Sequence, residues 1–161
     1  MLQKFRNVCV WIVLVEFLIG FAWFAKWLNR PAVSLVQAVR RHESGGDEQA
    51  VGDKKLKQKA YTSLQIRQPA LDDVNKFYAK EIKKIFGRDK FTVEYLKQNR
   101  AALNWCFEKY TGHYATRKRL GREPTDEDRA RIWNGGPDGY KRASTNKDWK
   151  EGVRPYLLAQ N

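Results

Sequence analysis

With 161 residues, the chain can fill one core of ordinary size and not two. Hydrophobic residues at 42%, including six Trp, exclude global disorder, and charged residues at 30% with a mean hydropathy of -0.70 exclude a polytopic membrane protein. Lys and Arg number 31 against 18 Asp and Glu, and the net charge of +13 implies a polyanionic partner: nucleic acid, acidic lipid or an anionic cell-wall polymer. The two cysteines, Cys9 and Cys106, are too few for a disulfide framework and leave the redox compartment open.

The first element is residues 8–28, an almost wholly apolar run. At about 1.5 Å per residue it reaches roughly 31 Å, the thickness of a bilayer core. It is expected to form one N-terminal transmembrane helix, an uncleaved anchor for residues 1–30, with the alternatives of a cleaved signal peptide or a buried helix. Lys4 and Arg6 before it favour a cytoplasmic N-terminus and an exported domain, although Lys26 and Arg30 beyond it reduce the asymmetry. Glu16 in mid-span is tolerated there when protonated, paired or at a helix contact.

After Pro31 the pattern becomes amphipathic, and residues 31–161 are expected to fold as one domain. Ser34 can cap a helix with Leu35, Val36 and Val39 on its apolar stripe, ended by Gly45-Gly46 just past Glu43. Residues 45–66 read as a loop or small hairpin. Pro69 opens a second helix that continues to Phe86 before Gly87. A third begins at Thr92 and carries Leu96, Leu103, Phe107 and Tyr110 on one face, so it is expected to be one central buried helix. Pro124 to Asp128 reads as a cap and acidic first turn leading to Ala130, Ile132 and Trp133, and NGGPDG at 134–139 ends that helix. Ser144 is expected to start a last helix, broken by Pro155. The fold class is α+β, predominantly helical.

Three separated segments carry the chemistry: HESGG at 42–46, AYTSLQI at 60–66 and ARIWNGGPDG at 130–139. In order and spacing, over roughly 34–154, they resemble the lysozyme-like superfamily, in its goose-type lysozyme and soluble lytic transglycosylase branch, which cleaves peptidoglycan. The resemblance implies a lysozyme-like fold with a small β-hairpin region. It implies Glu43 as the catalytic acid with Ser44 beside it, Leu64-Gln65-Ile66 as the cleft segment, and Trp133-Asn134-Gly135 as a late turn. Thr62-Ser63 stand where that branch usually has a glycine, and Trp133 stands where transglycosylases have a tyrosine.

The residue chemistry runs parallel to this. Glycosidic cleavage needs a carboxylic acid kept protonated near neutral pH, and both desolvation and a helix C-terminus disfavour ionisation of a Glu placed as Glu43 is. For a second carboxylate, Asp53 on the loop after Gly52 is read as orienting a water, with Asp47 and Glu48 as competitors and a plain turn aspartate as the structural alternative. The hydroxyl of Thr62 is a further candidate to hold that water. Sugars present C–H patches and hydroxyl pairs, so Tyr61, Gln65, Trp133, Asn134 and Tyr140 are candidate binding residues together with Ser44. Trp133 serves equally as a core residue, and Asn134 as a helix cap.

His42 receives no catalytic part, and with His113 it makes no metal-binding spacing. No cofactor is expected. The expected function is cleavage of the MurNAc-GlcNAc β-1,4 bond by a membrane-anchored monomer with its catalytic domain exported, leaning to hydrolysis because Trp133 lacks a hydroxyl and Thr62 has one. The partners are then peptidoglycan glycan strands and, through residues 8–28, the membrane. The rival is a membrane-tethered nucleic-acid-binding module marked by RKR at 117–119 and YKR at 140–142, which no nucleic-acid-binding motif supports.

Overall fold

The computed structural model describes residues 33–53 and 59–159. The expected span at 8–28 lies outside these residues, and among the described residues no helix is long and apolar enough to cross a membrane.

Helix α1, Leu35–Ser44, buries Leu35, Val36, Ala38 and Val39 and stops at Gly45, whose φ of 66° lets its N–H return to Arg41 O. Ser34 precedes it in extended conformation, but its side chain makes no cap bond. The polar segment that follows forms a three-stranded antiparallel sheet in the order β1 (Val51–Gly52), β2 (Ala60–Tyr61), β3 (Ile66–Arg67). Val51 pairs with Tyr61, and Tyr61 with Ile66.

The β2–β3 turn is strained. Thr62 and Gln65 hold left-handed φ values of 71° and 51°, a conformation that costs a side-chain-bearing residue on the order of 1 kcal/mol. Local bonds offset this: Thr62 N–H donates to Ala50 O at 3.0 Å, and Gln65 donates to Thr62 O from both its backbone N–H and its side-chain amide.

Helix α2, Gln68–Phe86, has Pro69 in its first turn and ends at Gly87 with φ 66°, as its sequence signals require. The expected third helix is two. The structure breaks it into α3, Val93–Gln98, and α4, Arg100–Tyr114, because Asn99 leaves helical conformation and accepts from Ala102 N–H. An Asn in that role competes with the helix it would otherwise continue.

A short α5, Arg117–Leu120, leads to α6, Asp126–Gly135, whose start is a capping box between Thr125 and Asp128. After a 3₁₀ turn at Gly139–Lys141, the chain forms α7 (Ala143–Asp148), a π-helical turn (Trp149–Val153) and α8 (Arg154–Leu158). Ser144 therefore lies inside α7 rather than before it. Pro155 opens α8 instead of breaking a helix, since its missing N–H is not needed in a first turn.

Helix α4 touches α1, α2, α3 and α6, and Leu103, Cys106 and Phe107 are fully buried on it. A charged residue also enters the core. Arg40 on α1 is 4% exposed, donates to Ser63 Oγ at 2.9 Å and to the Asn104 side chain, and lies 3.7 Å from Glu48. Glu48 also pairs with Arg100 at 2.9 Å. This network binds α1 and α4 to the sheet region and fixes the helix end that carries Glu43.

Candidate active site

A cleft of about 490 Å³ runs past the C-terminal end of α1. Glu43 lines it from α1, Gly52 and Asp53 from β1 and its end, Gln65 and Arg67 from the β2–β3 turn and β3, and Trp133 and Asn134 from α6. Tyr110 and Asp73 line it from α4 and α2. Residues from segments 42–46, 60–66 and 130–139 therefore meet at one place.

Glu43 is half-buried, and loss of water pushes its carboxyl up to about 7, with the neighbouring charge of Asp148 acting in the same direction. His42, the Asn134 amide and Arg67 pull it partly back. A carboxyl so placed keeps its proton near neutrality and can give it to a leaving oxygen.

Asp53 takes a left-handed φ of 51° and accepts from Arg67 twice, at 3.1 Å from Nε and 2.7 Å from Nη2. Arg67 Nη1 also donates to Asn134 O at 3.2 Å, so one guanidinium spans from the sheet to the end of α6. The two competitors of Asp53 are engaged elsewhere. Asp47 accepts from Gln49 N–H in a local turn, and Glu48 belongs to the Arg40 network.

Among the sugar-binding candidates, Gln65, Trp133 and Asn134 reach the cleft. Trp133 does so mainly as a core residue: it is 8% exposed, packs on Phe107 and Tyr110, and donates from Nε1 to Leu64 O at 2.7 Å. Asn134 is not a cap, since α6 continues to Gly135. Its side chain instead donates to Asp148 at 3.1 Å.

Four expected placements are corrected. Thr62 is wholly buried, its hydroxyl accepts from Leu64 N–H, and it does not line the cleft, so it cannot hold a water there. Ser44 is a tie, donating to Ser63 O at 2.9 Å and accepting from Gly46 N–H, and does not line the cleft either. Tyr61 lies in a separate depression with Leu71 and Phe91, because side chains alternate along β2 and its neighbour Ala60 takes the cleft side. Tyr140 lies outside the cleft lining, with Lys141 over its ring.

His42, given no part above, stands 2.7 Å from Asp148 Oδ1. Asp148 is a site residue that sequence reasoning missed: it is 106 positions from His42 and 14 from Asn134, and no local pattern marks it. Arg67 was missed although it directly follows Leu64-Gln65-Ile66, and that adjacency was the available signal. Both arginines of the RKR cluster are engaged in ion pairs, Arg117 with Glu123 at 3.2 Å and Arg119 with Asp138 at 3.0 Å. Among the described residues, no group of three or more His, Cys, Asp or Glu is placed to hold a metal ion.

No family model matches this chain, and a search of curated proteins finds no match.

Proposed function

We propose that the protein is a lysozyme-like glycosidase that cleaves the β-1,4 bond between N-acetylmuramic acid and N-acetylglucosamine in peptidoglycan. The observation that carries this reading is Glu43, a carboxyl pushed up to about 7 by burial, in a cleft built from the three segments whose order resembles that family. Glu43 donates its proton to the glycosidic oxygen as the C–O bond breaks, and positive charge develops on the sugar. A water then attacks the anomeric carbon and gives its proton to Asp53, which lies in the same cleft.

Hydrolysis is favoured over transfer because a second carboxylate lines the cleft. Thr62 contributes nothing to that choice. The net charge of +13 complements the carboxylates of the wall. Residues 8–28 anchor the chain, with the domain on the exported side.

The test is to incubate the full chain in detergent with purified sacculi and to weigh the released fragments by mass spectrometry. Reducing-end muropeptides, absent with Glu43→Gln, are the expected result. Products lighter by one water would make the enzyme a transglycosylase and leave Glu43 in place. No release, with tight binding to duplex DNA at matched salt, would overturn the glycosidase in favour of the nucleic-acid module.

A further inference from the structure

The Asp148 carboxylate is shared between two groups that flank Glu43. Its Oδ1 lies 2.7 Å from Nε2 of His42, the residue before Glu43 on α1. Its Oδ2 accepts from Asn134 Nδ2 at 3.1 Å, and Asn134 lines the cleft beside Glu43. Helices α1, α6 and α7 therefore converge on one carboxylate.

The chain makes room for this arrangement. The π-helical turn begins at Trp149, immediately after Asp148, and includes Gly152. A Cβ at Gly152 would stand 2.2 Å from His42 Cε1, so the absent side chain is the space that the imidazole occupies. Inserted π-turns within helices are often associated with functional sites. His42 and Asp148, with side chains 28% and 27% exposed, also line a second depression of about 450 Å³ with Lys147, Glu151 and Tyr156.

Resting on the reading of Glu43 as the acid, we propose that Asp148 is a positioning residue of this site: held by His42 and Asn134, it sets a second carboxylate beside Glu43. A carboxylate close to a second carboxyl disfavours ionisation of that second group, whereas a protonated imidazole favours it. Asp53, Asp73 and Arg142 line the same cleft, and the groups that act on the Glu43 carboxyl are Asp148 from α7, His42 from α1, Asn134 from α6 and Arg67 from β3. After burial, Asp148 is the largest influence raising Glu43, and the other three oppose it. Arg67 is itself held by Asp53 and Asn134 O. The Asn134 amide has two N–H donors, and giving one to Asp148 fixes where the other can reach.

The experiment is to follow the Glu43 carboxyl carbon by ¹³C NMR against pH in the full chain, with Glu43→Gln identifying its signal. Asp148→Asn keeps the shape and removes the charge, and the Glu43 midpoint is expected to fall by about one pH unit. His42→Gln is expected to move it upward, since His42 is one of the groups that oppose the proton on Glu43. Asp148→Glu restores the charge and should return the midpoint towards that of the unsubstituted chain. An unchanged midpoint in Asp148→Asn, a downward shift in His42→Gln, or an Asp148→Glu variant that behaves like Asp148→Asn would each overturn the proposal. Where the chain cleaves sacculi, the alkaline limb of its pH profile should follow the same order. Because the titration needs no turnover, a chain that titrates as expected but releases no muropeptide would overturn the glycosidase and leave the Asp148–Glu43 coupling standing.

Discussion

The imidazole of His42 fills the space in which a side chain at Gly152 would stand, with Cε1 2.2 Å from the position of the missing Cβ. Position 152 is therefore restricted by a ring 110 residues away in sequence and not by its own backbone, since its φ is not left-handed. Gly152→Ala is expected to destabilise the protein by about 1–3 kcal/mol through overpacking. Adding His42→Ala should recover much of that loss, and urea denaturation of the two single variants and the double variant measures the coupling. Additive effects would mean that the ring moves aside freely.

Glu43→Gln should stabilise the fold at alkaline pH. Burial raises the folded carboxyl to about 7 from its ordinary value of 4.5, so the native state binds more protons than the unfolded chain between those values. Stability contributed by Glu43 is therefore present at low pH and lost as pH rises through that window. The variant has no such loss. At pH 8 it should exceed the original chain by up to about 3 kcal/mol, and the gain should shrink towards zero at pH 4. Thermal unfolding at the two pH values checks the sign.

Asp53 and Thr62 should separate cleanly. Asp53→Asn is expected to lower the cleavage rate by about 10²-fold or more, as loss of a general base does. Thr62→Gly should leave the product type unchanged, because the buried hydroxyl bonds its own turn and not a cleft water. Mass analysis of muropeptides from both variants is the measurement. An active Asp53→Asn variant would remove Asp53 from the mechanism.

Trp133→Phe keeps the packing on Phe107 and Tyr110 but removes the Nε1 donor that Leu64 O accepts at 2.7 Å. A buried carbonyl left without its partner costs about 1–3 kcal/mol. The loss should appear as a lower Tm. It should also loosen the β2–β3 turn, which amide exchange at residues 62–65 would detect.

Residues 8–28 are expected to hold the full chain in membranes through alkaline carbonate extraction, with the 31–161 domain open to protease from the exported side. Release into the carbonate supernatant would remove the anchor from the proposed function.

Local chemistry was readable wherever one residue's conformational preference decides the outcome. Gly45 and Gly87 end helices because their left-handed φ is easy for glycine. Thr125 and Asp128 start α6 because they satisfy each other's backbone N–H groups. The periodic Leu96, Leu103, Phe107 and Tyr110 marked the buried face, although Asn99 splits the helix that carries them. Glu43, Asp53, Gln65, Trp133 and Asn134 were likewise identifiable as candidates and do line one cleft.

What the sequence could not show is which face each short strand turns to the cleft and which distant group meets which. A strand of two residues is too short for its alternation to show in sequence, so Tyr61 was assigned to a cleft it does not line; Ser44 at the end of α1 and Thr62 in the β2–β3 turn were misplaced because their hydroxyls bond nearby backbone instead. Asp148 owes its place to a π-helical turn and a missing side chain at Gly152, features without a sequence period. A carboxylate acts on another through space, over a few ångströms and through few intervening groups. Sequence separation carries no information about that distance, and only the packing of α1, α6 and α7 brings Asn134 and Asp148 to His42 and Glu43.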